Sequence, residues 1–195
     1  MEVMLIHSDA DPLRLAFPAI YEPRAMANDA NSKPAYGGKL IVNPDGKNDK
    51  LISDALLKVA EEKWPGKGKQ VLDKLTADGK VCYVQGPYLD KDGEPRDGFE
   101  GNYYLSCRSE KLKPTTKNRF NQTVGESDPG APYPGSHIHA AVDIWAQDNS
   151  FGRRINCTLQ GAMFASDGPA FGGGRPATDN TFAGLAQEVE HGDLV

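Results

Sequence analysis

A chain of 195 residues, 38% hydrophobic with a mean hydropathy of -0.55, suits one domain or one domain with a tail, and none of its apolar runs approaches the ~20 residues that cross a bilayer. Its formal net charge of -5 excludes nucleic-acid binding through a strong overall positive field, so any such role has to rest on local basic segments. Cys82, Cys107 and Cys157 are scattered, without CxxC metal spacing, and read as free thiols in a reducing compartment; MEVMLIHSDADP lacks the basic region of a signal peptide, which points to a cytoplasm.

In chain order, Pro12 to Glu22 (PLRLAFPAIYE) reads as a first strand, with Pro18 marking an edge or a bulge. Tyr36 to Val42 (YGGKLIV) reads as a second, its glycines permitting close backbone approach or a sharp bend. Asn48 to Trp64 is the one clear helix. Leu51, Ile52, Ala55, Leu56, Val59 and Ala60 recur at helical spacing, Asn48 or Asp49 can cap it, and Pro65-Gly66 ends it. The lysines from Lys63 to Lys74 read as a solvated helix end and loop, and Gly86 to Gly101 as a loop. Asn102 to Arg108 is a third strand with Tyr103, Leu105 and Cys107 on one face and Tyr104, Ser106 and Arg108 on the other. Lys111 to Gly135 is a long, Pro-rich, basic and mobile loop, of the kind that in compact domains is functional or disordered.

The segment from Tyr133 to Phe164 predicts a β-hairpin. Ile138, Ala140, Val142, Ile144 and Ala146 alternate with His137, His139, Asp143 and Gln147. After Asp148 to Gly152, Ile155, Cys157, Leu159 and Met163 alternate with Arg154, Asn156, Thr158 and Gln160. The polar face carries amides, hydroxyls, Trp145 and Arg153-Arg154, which makes a binding surface with no acid/base constellation. Past Gly174 the charges turn acidic, Arg175 standing against Asp179, Glu188, Glu190 and Asp193.

Five strands, one helix and long loops fit an all-β, OB-fold-like five-stranded barrel with a flexible acidic C-terminal tail; a β-sandwich fits the alternation nearly as well. The division is a binding domain over residues 1–174 and a tail over 175–195. Single-stranded nucleic acid needs rings on which bases stack and cations that follow phosphates. Tyr36, Tyr104 and Trp145 supply rings; Lys39, Arg108, Lys111, Lys113, Lys117, Arg119, Arg153 and Arg154 supply charge. Trp145 has a second reading, packing the outside of the barrel against the helix.

Enzyme motifs mostly fail. PGKGKQ lacks the GxxxxGK[ST] pattern and follows a helix, and the glycines from Gly168 to Gly174 open no periodic helix. The alternative is a cupin-like metal-dependent enzyme built on His137, His139 and Asp143, weakened because the only later histidine is His191 in the tail. A phage structural or interaction protein is the third reading.

The blocks RLAFPAIYEP, KPAYGGKLIVNP, the helix ending EEKW, NYYLSCRS and YPGSHIHAAVDIWAQDN followed by GRRINCTLQGAMFASDGPAFGGG occur in an order that resembles bacteriophage single-stranded-DNA-binding proteins related to the T7-type replication protein. The resemblance spans residues 12–175 and departs at His137 and His139. It implies an OB-fold, coating of single-stranded DNA (ssDNA) in replication and recombination without strong sequence preference, no cofactor, and a place in the host cytoplasm. It also implies a tail whose Glu188, Glu190, Asp193, Leu194 and Val195 contact replication partners such as the phage DNA polymerase. A homodimer stays open.

Overall fold

The computed structural model describes residues 3–9, 11–25 and 31–171. In chain order these form β1 (Met4–Ile6), β2 (Arg14–Arg24), β3 (Ala35–Val42), α1 (Lys47–Lys63), α2 (Gly68–Ala77), β4 (Tyr83–Val84), β5 (Tyr103–Ser109), β6 (Thr115–Lys117), β7 (His137–Asn149) and β8 (Gly152–Ser166). The strands make one sheet in the order β4-β5-β3-β2-β7-β8-β6, with β1 added on β7. The chain is therefore mostly β, as expected, but with eight strands where five are predicted and two helices where one is predicted.

Each of the five predicted strands is present, and the alternation explains why. In the β7–β8 hairpin Ile138, Ala140, Val142, Ile144, Ile155, Cys157 and Leu159 are buried, and β5 buries Leu105 and Cys107. One inward residue is corrected. The register slips at Gln160, so Gly161 faces Ala141 while Leu159 faces Val142. One extra residue reverses the parity beyond it. Ala162 and Phe164 then enter the core and Met163 faces outward.

In β2 the pairing with β3 jumps between Ala16 and Ala19, so Pro18 does mark a bulge, and Phe17 takes a φ of 48° there. In β3 the close approach expected of the glycines occurs at Gly37, where a Cβ would overlap the Cys107 carbonyl of β5.

The helix runs from Lys47 to Lys63, but neither Asn48 nor Asp49 caps it. Gly46 is the N-cap and has no side chain to offer, so the first turn is satisfied from outside. Asp11 Oδ2 accepts the Asn48 N–H at 2.7 Å, while the Asn48 amide donates to the carbonyls of His7 and Asp11 at 2.8 and 2.9 Å. The helix thereby hangs from the β1–β2 loop and lays Ile52, Leu56 and Ala60 into the core shared with Leu15, Leu40, Val42 and Leu105. Its other end is fixed by Trp64, whose indole N–H donates to Asp148 Oδ2 at 2.7 Å.

The strip from Lys80 to Val84 bonds on both sides. Cys82 N–H donates to Ile155 C=O on β8 at 2.9 Å, Ile155 N–H donates to Lys80 C=O at 3.0 Å, and Ser106 N–H of β5 donates to Cys82 C=O at 2.8 Å. The segment after Lys111 is likewise held rather than loose: β6 runs parallel to β8, and Thr116 Oγ1 donates to Val124 C=O at 2.6 Å. Among the described residues no helix is long and apolar enough to cross a membrane.

Candidate nucleic-acid interface

On the outward side of β3 and β5 the register sets Lys39 opposite Ser106, Ile41 opposite Tyr104 and Gly37 opposite Arg108. Residues facing one another across two strands project to the same side, so Lys39, Tyr104 and Arg108 share one face. The loop from Gly86 to Gly101 folds back over that face. Arg96 N–H donates to Tyr88 C=O at 2.9 Å and Asp90 N–H to Glu94 C=O at 2.8 Å, a small hairpin that delivers Tyr88, Arg96 and Phe99.

Four rings result. Tyr104 meets Tyr88 and Phe99 edge to face at 5.6 and 5.7 Å, and Phe17 meets Tyr88 at 5.6 Å and lies nearly parallel to Phe99 at 6.0 Å. Phe99 is buried beneath the others, while Phe17 keeps 45% of its surface exposed. Cations sit on the rings: Lys39 Nζ is 4.4 Å from the Tyr88 centroid, and Arg96 Cζ is 5.5 Å from that of Phe17. Lys39 Nζ also lies 3.5 Å from Ser106 Oγ. Burial pulls the Lys39 ammonium below the ordinary lysine range and pushes the Tyr104 phenol up. A partly desolvated cation over aromatic faces is what an incoming phosphate and base can use together.

At the border of this face Arg14 is committed to structure. Its Nη2 donates to Pro169 C=O at 2.6 Å, Nε donates to Gly135 C=O at 3.3 Å, and Cζ lies 4.2 Å from the Phe171 centroid. Arg108 Nη2 donates to the Lys33 carbonyl. Tyr36 falls on the opposite parity of β3, level with Ser109, and is no part of the ring cluster.

The remaining predicted residues fall elsewhere. Lys111 and Lys113 are exposed beyond β5; Lys117 Nζ donates to Asn121 C=O at 3.1 Å, and Arg119 lies 5.6 Å from the ring of exposed Phe120. β2 meets β7 at the Arg14–His137 pair, and Trp145 is eight residues further along β7. It is 39% exposed, its indole N–H donates to Thr158 Oγ1 at 3.3 Å on the outer face of the hairpin, and it borders a groove of ≈ 780 Å³ lined also by Met4, Leu51, Ala55 and Val59. Arg153 Nε donates to Asp148 Oδ2 at 3.1 Å next to Trp64, and Arg154 is exposed. Glu188, Glu190, Asp193, Leu194 and Val195 lie outside the described residues.

His137, His139 and Asp143 do not converge on one point. Along a strand, four residues span about 13 Å, too far for one ion to touch both His139 and Asp143. His137 Nδ1 instead faces Ser166 Oγ at 3.2 Å, and Asp143 is buried near α1 with its carboxyl pushed above the usual range by desolvation.

Phe17, Tyr88, Arg96 and Phe99 are the members that sequence reasoning misses. Phe17 lies inside a strand that reads as ordinary, and the other three come from a loop whose return to β5 is a tertiary event. The one available signal is the clustering of Tyr88, Arg96 and Phe99 in a loop too polar to need aromatic residues for its own packing.

The family profile described as Enterobacter phage Enc34, ssDNA-binding protein, matches residues 6–195. The chain is 30% identical over 182 residues to protein p50 of Acyrthosiphon pisum secondary endosymbiont phage 1, covering 91% of this chain and 93% of that protein. The solved structure of the single-stranded DNA-binding protein from bacteriophage Enc34 in complex with ssDNA superposes with a TM-score of 0.67 at 20% identity, over 87% of this chain and 89% of that one. The single-stranded DNA-binding protein gp2.5 encoded by bacteriophage T7 superposes with a TM-score of 0.50 at 14% identity, over 100% and 98%. These superpositions speak for the fold, and the profile, matching nearly the whole chain, speaks for the family. The chain belongs to the Enc34 family of phage single-stranded-DNA-binding proteins.

Proposed function

We propose that this ssDNA-binding protein, a binder and not an enzyme, holds its strand on the outer face of β2, β3 and β5, with bases stacking on Phe17, Tyr88 and Tyr104 and phosphates meeting Lys39, Arg96 and Arg108. The observation that carries this reading is Lys39, a half-desolvated cation enclosed by rings on one side of the sheet. Stacking is sequence-tolerant because every base has a π-face, so coating without strong sequence preference follows. Lys111, Lys113, Lys117 and Arg119 extend the basic track beyond β5; Trp145 and Arg154 lie apart from it on the outer face of the β7–β8 hairpin, and Arg153 is paired with Asp148 on the α1 side.

The fold we infer is an OB-like barrel. The double-sided bonding of Lys80 to Val84, to β8 and to β5, supports closure through a strand too short to be predicted. The ssDNA-binding domain ends near residue 174, and residues 175–195 serve as an acidic tail toward replication proteins, in the cytoplasm of the infected cell.

Fluorescence-quenching titration with a dT oligonucleotide and with a duplex, each with wild type and Tyr88→Ala, tests the site. Weaker binding of the single strand by Tyr88→Ala supports it, and an unchanged affinity moves the interface off this face.

A further inference from the structure

His7 follows β1 directly, and the β1–β7 register, in which Ile6 faces Ala140, brings it beside His139. The two imidazole rings lie 5.6 Å apart. Two residues on, Asp9 returns to the same spot with Oδ1 3.6 Å from His139 Nε2. One donor atom from each of the three lies within 4.8 Å of the other two.

The surrounding bonds hold this placement. His7 C=O accepts from the Asn48 amide at 2.8 Å, Ser8 N–H donates to His139 Nδ1 at 3.2 Å, and Ser8 Oγ accepts from Leu13 N–H at 2.9 Å. The loop carrying His7 and Asp9 is thus tied to α1, to β7 and to the start of β2.

We propose that His7, Asp9 and His139 bind one divalent transition-metal ion of the zinc type, which clamps the end of β1 onto β7. Two imidazoles and one carboxylate are a donor set for Zn²⁺, Co²⁺ or Ni²⁺, whereas Mg²⁺ and Ca²⁺ want oxygen ligands. Ligand distances of about 2.0–2.2 Å to the ion require the donors to draw together, which the exposed side chains of His7 and Asp9 do by rotation toward His139. His7 and Asp9 are exposed, so water fills the remaining positions. An ion on His139 Nε2 leaves the ring proton on Nδ1, so the ion replaces the Ser8 N–H to Nδ1 bond as the tie between this loop and β7. The proposal stands apart from the ssDNA interface and does not depend on it.

Calorimetric titration of the full chain with ZnCl₂, with MgCl₂ as control, tests it. One equivalent of Zn²⁺ is expected to bind, to raise the melting temperature and to move the Ser8 amide resonance. His7→Ala and Asp9→Asn each weaken uptake on the order of tenfold or more, and His137→Ala does not. Both altered positions are exposed, so these variants decide the matter even if His139→Ala fails to fold. Uptake that is absent, unchanged in His7→Ala and Asp9→Asn, or removed by His191→Ala alone overturns the site.

Discussion

The ammonium of Lys39 lies 4.5 Å from the centre of the Tyr104 ring, two residues on neighbouring strands whose side chains the β3–β5 register sends to one face. A cation so placed is held by ring quadrupoles and has lost part of its water, which leaves it able to exchange the remainder for a phosphate. We expect Lys39→Met, which keeps the stem and removes the charge, to weaken ssDNA binding and to lower the log-log salt slope by ~0.7, the share of one phosphate on a single strand. An unaltered slope in a salt series of titrations would place Lys39 outside the phosphate path.

The same residue gives a pH dependence with a definite sign. Burial makes Lys39 lose its proton at lower pH than an exposed lysine, and a bound phosphate favours the protonated form, so binding above that point draws a proton in. Affinity should therefore begin to fall on the alkaline side before ordinary lysines titrate in their range near 10.4. Lys39→Arg, whose guanidinium stays charged, should lose this early decline. Superimposable profiles of Kd against pH for the two proteins would contradict the assignment.

Phe17 combines a φ of 48° with 45% exposure. A left-handed conformation at a non-glycine residue costs on the order of 1 kcal/mol, which the contacts with Tyr88 and Phe99 offset. Phe17→Gly relieves that strain and removes a stacking platform worth ~1–3 kcal/mol per base. The expected outcome is a melting temperature close to that of wild type, the relieved strain offsetting the lost ring contacts, together with weaker ssDNA binding. Equal falls in stability and affinity would mean that Phe17 is there for the fold.

Much of this arrangement was legible in the sequence. Five strands and α1 announced themselves because period 2 and period 3.6 are visible wherever one face is buried. β1, β4 and β6 have two or three residues and so no period to read, and in α2 the lysines mask the short face of Val71, Leu72 and Leu75. The alternation reads Met163 as inward because the bulge at Gln160, which reverses parity, leaves no mark in the composition. Lys39 and Tyr104 followed from strand parity. Tyr88 and Phe99 did not, since only the fold decides which side of a sheet a loop will cover.

Asp11 offers a test of stability apart from binding. It is buried, accepts the Asn48 N–H at 2.7 Å, and stands in for the cap that Gly46 lacks. Asp11→Ala should cost about 2 kcal/mol, or several degrees of melting temperature for a chain of this size. Kd for ssDNA measured well below the melting point should stay within twofold, because α1 packs on the core and not on the ring face. A large loss of affinity in folded protein would show that α1 also orders the interface.

Lys111, Lys113, Lys117 and Arg119 test the extent of the basic track. Phosphate contacts carry no sequence information, so replacing all four by glutamine should lower affinity alike for dT, dC and mixed strands and flatten the salt slope. Each contact that truly neutralises a phosphate removes ~0.7 from that slope, which counts how many of the four take part. Lys117, already donating to Asn121 C=O, is expected to matter least. No change in either quantity would make the segment a solvated connection only.

The last prediction concerns Thr181 to Val195, TFAGLAQEVEHGDLV, which lies outside the described residues. Its Glu188, Glu190 and Asp193 precede Leu194 and Val195 after a glycine-rich stretch, a segment too short and polar to build its own core. We expect this segment, tethered to the domain, to reach the cationic face at a high effective concentration and to compete with phosphates there. The carboxylates are few, so the competition is modest and salt screens it. Deleting residues 181–195 should raise ssDNA affinity at low salt, leave it unchanged at high salt, and abolish binding to a replication partner such as the polymerase. The comparison is a fluorescence-quenching titration of full-length and truncated protein at both salt concentrations. Identical affinities at low salt would mean that the tail does not visit the face carrying Lys39, and retained polymerase binding would place that contact elsewhere on the domain.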